Sequence, residues 1–306
     1  MDRRTFFRKS LGASVVVGAA LTGDYERLFA AASDTSGIPY DLVAVKGGES
    51  DVMLQKGLAA LGGIRTFVKK GQKVVIKPNI GWDVGPERAG NTNPNLIAEL
   101  IRQCRDAGAK EVYVLDHTCD DWQRSYKHSG IEPAVKDAGG KVAPAHTESY
   151  YHEVTIPNGK SLTKAKEHEL ILGADVFINV PVLKSHDSAR LTIAMKNLMG
   201  NVWDRGTWHR NDLHQCIADF ASYRKPTLNI VDAYNVMKRN GPRGVSVEDV
   251  VTMKSLLLST DMVTIDTAAT KLFGINPSDV RYIQLAADQK VGRMDLENLR
   301  IKRLTV

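Results

Sequence analysis

The strongest constraint on this chain is a repeated hand-over in which short, almost wholly apolar runs end in ionisable or amide residues. Val74-Val75-Ile76 leads to Lys77, Pro78 and Asn79. Val112-Tyr113-Val114-Leu115 leads to Asp116 and His117. Phe177-Ile178-Asn179-Val180 leads to Lys184 and His186, and Leu228-Asn229-Ile230-Val231 leads to Asp232. Near-continuous apolar runs read as strands covered on both faces, as in parallel sheets. Amphipathic runs separate them. Leu54, Leu58, Leu61, Ile64 and Val68 predict a helix from Asp51 to Lys69, and Asn93-Pro94 opens another through Ala107. Further helices are expected near 119–127, 131–138 and 189–199, from Asn211 to Ser222, from Asp261 through Phe273, and over 279–288. Additional strands are expected at 41–47, 141–143, 151–156 and 251–259, with 299–306 at an edge. The alternation predicts an α/β fold: a mainly parallel sheet with helices on both faces, as one body or as two α/β lobes around a crevice.

In open parallel sheets, ligands bind outside the C-terminal ends of the strands. The four polar tails are therefore expected to meet. The stretch "VPVLKSHDSARLTIAMKNLMGNVW" (180–203) sets Lys184, His186, Lys196 and Asn197 among Val, Leu, Ile and Met. Buried charge is costly unless it is paired or used. Lys184, His186 and Lys196 are the candidate catalytic residues. A desolvated lysine becomes a usable base or nucleophile, and histidine titrates near neutrality. Lys77, Asn79, Asp116, Asn179, Asn197 and Asp232 are candidate ligand-binding residues. Gly241, in the turn "KRNGPRG", joins them because glycine lets backbone NH groups approach a ligand. His186, His209 and His214 form a candidate transition-metal set, although His209 and His214 lack the i,i+4 spacing of a helical zinc pair. Each has a plainer reading: Asp116 and Asp232 as caps, Lys77 as a strand-exit lysine, Lys196 on an exposed helical stripe, the histidines as hydrogen-bonded loop residues.

The first residues read as a targeting signal rather than as fold. A basic start with Arg3-Arg4, then Thr5-Phe6-Phe7-Arg8-Lys9, precedes an apolar run from Leu11 to Leu21 that is short for a membrane span. The pattern resembles a twin-arginine signal, with cleavage expected near Ala32 and a periplasmic destination. The translocation machinery is then a partner. Residues 1–32 carry five basic and three acidic residues, so their removal takes the formal charge from +6 to +4. That modest excess and the lack of any nucleic-acid-binding signature argue against DNA or RNA as a partner. A small anionic ligand suits it, and no stable membrane span is expected. Cys104, Cys119 and Cys216 are widely spaced, with no Cys-x-x-Cys pair, so the chain has no iron–sulfur motif of its own. They allow one disulfide or three thiols.

The segments "VVIKPNI", "NPNLIAELIRQCRDAGAKEVYVLDH", "SGI", "ADVFINVPVLKSH", "LTIAMKNLMG", "LNIVDAYNVMKRNGPRG" and "STDMVTIDTAATKLFG" occur in that order. Together they resemble the DUF362 family, a domain of unknown function, over roughly residues 40–295. The resemblance implies one domain over 40–306 after a signal at 1–32. Some family members are associated with iron–sulfur proteins through extra cysteine motifs, which this chain lacks. A more remote similarity, carried by no long motif, is to nickel-dependent lactate racemases, which use lysine and histidine around a nickel-bearing nucleotide cofactor. It transfers no residue roles. "LDHTCDDW" departs from the glycine- and serine-rich form of the family's Asp loop. Two functions follow as expectations. One is an exported enzyme acting on a small anionic substrate in a Lys/His/Asp-lined crevice, with a bound metal or nucleotide-like cofactor among the options. The other is a non-catalytic periplasmic metal- or cofactor-binding or maturation protein.

Overall fold

The computed structural model describes residues 40–306; the twin-arginine-like segment lies outside the described residues. The strands are β1 Leu42–Lys46, β2 Lys73–Pro78, β3 Glu111–Val114, β4 Lys141–Val142, β5 Tyr151–Thr155, β6 Lys164–His168, β7 Val176–Val180, β8 Val182–His186, β9 Arg190–Thr192, β10 Leu228–Met237, β11 Val250–Ser259 and β12 Ile301–Thr305. The helices are α1 Ser50–Ala60, α2 Pro94–Asp106, α3 Trp122–His128, α4 Ile131–Asp137, α5 Glu169–Leu172, α6 Ala194–Asn197, α7 Arg205–Arg210, α8 Leu213–Tyr223, α9 Met262–Phe273 and α10 Arg281–Asp288. Among the described residues no helix is long and apolar enough to cross a membrane.

One mostly parallel, mixed sheet of ten strands runs through the molecule in the order β12-β1-β11-β10-β7-β2-β3-β4, with β8 beside β10 and β9 beside β8. β2, β3, β4, β7 and β10 form its parallel part, and β11 pairs antiparallel with both β10 and β1. β5 and β6 make a separate antiparallel hairpin. Strand order reverses at β2: the chain moves outward through β3 and β4, then returns on the other side of β2 as β7. This is the switch point at which an open α/β sheet leaves a crevice.

Side-chain alternation builds two cores. Val74 and Ile76 of β2 face Leu54 and Leu58 of α1 and Leu96, Leu100 and Ile101 of α2. Val75, between them, belongs to the opposite core with Ile217 and Phe220 of α8, Ile265 and Ala268 of α9 and Ile283 of α10. Each fully buried aliphatic side chain of this kind contributes roughly 1.5–3 kcal/mol. The caps follow from sequence. Asn93 Oδ1 accepts from Asn95 N (2.9 Å) ahead of Pro94, and Asp261 Oδ1 accepts from Val263 N and Thr264 N (2.8 and 3.0 Å) to start α9.

Two expected helices come out differently. The helix expected from Asp51 to Lys69 stops at Ala60. Gly62 and Gly63 follow with φ of +91° and +83°, a turn that glycine alone makes without strain, and a short 3-10 turn at Ile64–Thr66 carries the remaining apolar residues. The helix expected near 189–199 begins instead as β9, which pairs with β8, and only Ala194–Asn197 is helical. Short apolar runs do not distinguish strand from helix by periodicity.

Candidate functional site

The pocket at the switch point is built from strand ends. Lys77 and Asn79 leave β2, Asp116 and His117 follow β3, Lys184 and His186 lie on β8, and Thr192 stands opposite Lys184 on β9. α6 and the turn after it supply Lys196, Asn197, Met199 and Gly200. These residues, with Gly81, Trp82, Cys119, Arg205 and Pro242, line a cavity of about 60 Å³. That space takes the charged end of a small molecule.

A buried ion pair forms the floor. Lys77 and Asp116 are 1% and 3% exposed, and Lys77 Nζ lies 2.8 Å from Asp116 Oδ1. Burying two charges is tolerable only if their remaining bonds are also met. Lys77 donates to Pro78 O (2.7 Å) and Asn197 Oδ1 (2.9 Å), so its ammonium is fully occupied. Asp116 Oδ2 accepts from Ile80 N at 2.6 Å. Oδ1 is itself enclosed, with the Lys77 ammonium at 2.8 Å as its charged partner. Gly200 makes this pair possible: a Cβ there would lie 1.8 Å from Asp116 Oδ1 and 2.7 Å from Lys77 Nζ.

Two amides connect this pair to the second lysine. Asn79 Nδ2 donates to Asn197 Oδ1 (3.0 Å), and Lys184 Nζ donates to Asn79 Oδ1 (3.1 Å) and to Gly90 O. Both acceptors of Lys184 are neutral. Burial accordingly pulls Lys184 down to about 7 and Lys196 down to about 8. Lys77 is also lowered by burial, with Asp116 opposing the shift. The Lys196 ammonium makes no hydrogen bond or close ion pair among the described residues, so all its donors are available. α6 carries Lys196 and Asn197 to the pocket because Asp266 on α9 accepts from Ala194 N (2.7 Å) and Met195 N (3.1 Å).

His186 Nδ1 accepts from Ser188 N (3.2 Å) and Ala189 N (3.3 Å), which places the ring proton on Nε2. Burial holds this imidazole well below its ordinary value, so the Asp187 carboxylate at 2.9 Å is a neighbour rather than an ion-pair partner at neutral pH. Arg205 was absent from the expected set. It donates to His117 O and Thr118 O (both 2.7 Å) and adds a fourth cation. His117 Nδ1 lies 2.9 Å from Val202 O, and its ring stacks on Trp203 with centroids 4.9 Å apart.

Five expected site residues do not line this pocket. Asn179 is fully buried within β7. It bonds Ala194 O and Asn229 Oδ1 (both 3.0 Å) and accepts from Asn197 Nδ2 (2.9 Å), which makes it a support behind Asn197. Asp232 accepts from Asn93 N (2.7 Å) and Tyr234 N (3.0 Å), so it ties β10 to the start of α2. Gly241 donates to Ser185 Oγ (3.0 Å) and packs against the Ser185 backbone, and its neighbour Pro242 is the loop residue that reaches the cavity. His209 is exposed on α7, and His214 lies against Tyr282 at 5.9 Å. The candidate metal set of His186, His209 and His214 is corrected accordingly: among the described residues no three His, Cys, Asp or Glu side chains group as a metal centre. Nδ1 of His186 already accepts from two backbone NH groups. All three cysteines are free thiols.

A larger groove of about 300 Å³ lies between the β5–β6 hairpin and α7, lined in part by Trp203. Its charges are satisfied internally by Glu153–Lys164 (2.8 Å) and Glu148–Lys166.

Fold and site together define an α/β protein with a small, cation-rich pocket at the switch point of its sheet. The chain belongs to the DUF362 family, a domain of unknown function, whose model matches residues 74–271. It is 27% identical over 251 residues to the thylakoid-associated protein sll1697 of Synechocystis, an alignment covering 77% of this chain and 73% of that protein. Among solved structures it is similar to the lactate racemase apoprotein of Thermoanaerobacterium thermosaccharolyticum, with a TM-score of 0.43, 13% identity and 74% of this chain covered. A Thermotoga maritima protein aligns with a TM-score of 0.40, 11% identity and 78% of this chain. The chain spans 56% and 59% of those two proteins' lengths.

Proposed function

We propose that this protein is an exported enzyme whose pocket takes the charged end of a small anionic substrate, with Lys184 as its proton-transfer group. The carrying observation is the charge balance of the cavity: Lys77, Lys184, Lys196 and Arg205 surround one carboxylate, Asp116, and Lys77 already answers it. An entering anion is attracted by the other three cations. Lys196 offers unused donors, and Lys184 keeps one N–H after bonding Asn79 and Gly90. A lysine at about 7 holds and releases a proton near neutral pH, as general acid–base catalysis requires. His186 lines the cavity with Nδ1 already taken, which leaves Nε2–H as a neutral donor for the bound group. The arginine pair at the start of the sequence supports export of the folded chain.

Titration calorimetry with sulfate tests the binding step, because sulfate keeps its charge across the range in which the lysines titrate. Wild type binds sulfate at about pH 6 and loses it toward about pH 9 as Lys184 and Lys196 deprotonate. Lys196→Ala weakens binding by roughly 10-fold or more, the worth of one charge-assisted hydrogen bond. Sulfate binding that ignores both pH and Lys196→Ala overturns the pocket. Proton transfer is read by NMR as loss of the C–H signal next to a carbonyl or carboxylate carbon of pyruvate, malonate and succinate in heavy water, with Lys184→Ala abolishing it. Binding without exchange or turnover of any small carboxylate replaces the enzyme with a binding protein.

A further inference from the structure

Cys119 is an exposed thiol on the wall of the cationic pocket, whereas Cys104 and Cys216 are buried in the two cores with their thiols pushed up to about 12 and about 11. Its loop is held firmly. Cys119 N donates to Gly81 O at 2.8 Å, and Arg205 grips the carbonyls of His117 and Thr118 while its Nη1 lies 3.6 Å from Cys119 Sγ. The Cys119 sulfur shares the cavity wall with both Lys184 and Lys196 and is an electrostatic neighbour of each. The same cavity also carries a sign of an absent ligand. The Lys196 ammonium on its wall makes no hydrogen bond or close ion pair among the described residues, so its donors are open to an anion. An anion drawn to Lys184 and Lys196 is therefore set down against the sulfur.

Building on the anion-pocket reading, we propose that Cys119 is the nucleophile of this site, and that its substrates are small carboxylates whose electrophilic carbon adjoins the charge, 2-oxo acids in particular. The thiolate is the attacking species. With a 2-oxo acid, the S–C bond forms at the carbonyl carbon, the π pair of the carbonyl moves to oxygen, and the ammonium of Lys184 or Lys196 gives that oxygen a proton. The product is a hemithioketal, and return of the proton to the lysine reverses the step. No oxidant or second reactant is consumed. Cationic walls around the thiol hold the carboxylate in place and raise the local concentration of anionic reagents.

Alkylation provides the test. Iodoacetate belongs to this class: sulfur bonds to the carbon beside the carboxylate as the C–I bond breaks and iodide leaves. Iodoacetamide has the same reacting carbon and no charge. The ratio of the two rates at one pH cancels the fraction of thiolate. An isolated thiolate prefers iodoacetamide; here iodoacetate is expected to react faster at Cys119, by roughly 10-fold for a site that concentrates anions. Peptide mass spectrometry locates the label, and Cys119→Ser removes it. Sulfate slows the iodoacetate reaction, and Lys196→Ala slows iodoacetate more than iodoacetamide. If calorimetry shows sulfate bound and iodoacetamide still reacts at Cys119 as fast as iodoacetate or faster, the thiol is a bystander and the proposal falls while the anion pocket stands. If sulfate does not bind, the pocket reading fails first.

Discussion

Gly200→Ala is the sharpest test of the pocket floor, because one methyl group meets both members of the buried ion pair. The added Cβ would stand 1.8 Å from Asp116 Oδ1, 2.6 Å from Lys77 Cε and 2.7 Å from Lys77 Nζ, all shorter than the 3.0 Å that real Cβ contacts keep. Neither partner has room to retreat. Asp116 Oδ2 is held by Ile80 N at 2.6 Å, and Lys77 is held by Pro78 O and Asn197 Oδ1. Overpacking of a core costs about 1–3 kcal/mol. Separating a buried ion pair without replacing either partner moves the cost toward the roughly 3–5 kcal/mol of a broken buried pair. A loss of about 3 kcal/mol is therefore expected for Gly200→Ala, seen in urea as a lower midpoint at unchanged slope. Sulfate affinity falls with it, since displaced Lys77 also releases Asn197. Gly173→Ala is the control. Its nearest neighbour, Glu169 O, lies at 3.4 Å, and the change should stay within about 0.5 kcal/mol of wild type. A Gly200→Ala protein as stable as this control, with wild-type sulfate binding, refutes the floor as described.

Other perturbations bear on the same groups. Asp116→Asn leaves the Lys77 ammonium buried without its counter-charge and should cost roughly 3–5 kcal/mol, while Lys77→Met with Asp116→Leu recovers much of the loss, a contrast that denaturant titration measures directly. Lys184 has a folded value of about 7 against an ordinary 10.5, so the folded state binds fewer protons than the unfolded chain between those values. Its stabilising share is complete above 10.5 and is lost as pH falls toward 7, so Lys184→Met should remove a rise in stability across that window. Asp266 works in the opposite sense: with its carboxyl raised from 3.8 to about 8 by burial, stability falls as pH climbs between those values, and Asp266→Asn should flatten that part of the profile.

Much of the architecture was legible because the apolar runs of this chain are long enough to identify parallel strands and because its caps are written locally. Asp261 opens α9 and Asn93-Pro94 opens α2, as their side-chain chemistry requires. What sequence did not reveal was set by tertiary pairing. The run Leu191 to Met195 is apolar enough for either helix or strand, and β8 claims its first half. β6, "KAKEH", has almost no apolar signal and exists because β5 pairs with it. Arg205 gave no pattern at all. It reaches the pocket because the chain from Leu198 onward folds back past β3, a course fixed by His117 N bonding Gly200 O at 3.1 Å.

The residues that end each apolar run separate into pocket and support for a reason that periodicity alone does not supply. Lys77 shares its face of β2 with Val75, and that face looks toward α6 and Gly200; Lys77 therefore meets Asp116 and Asn197. Asp232 also follows an apolar run, yet β10 does not end there. It continues for five more residues through a register shift against β8, so Asp232 is a mid-strand carboxylate. A mid-strand carboxylate has to find donors inside the structure, and it finds them in Asn93 N and Tyr234 N. The distinction is between a strand that stops and one that is extended by a neighbour. Only strands that stop at the switch point, β2 and β3, deliver their next charged side chain to the crevice. β8 reaches it by a different route, as a strand added where β7 has ended. The pocket charge is thus a consequence of where pairing partners run out, which is why Lys184 and Asp116, far apart in sequence and unlike in local pattern, serve one cavity.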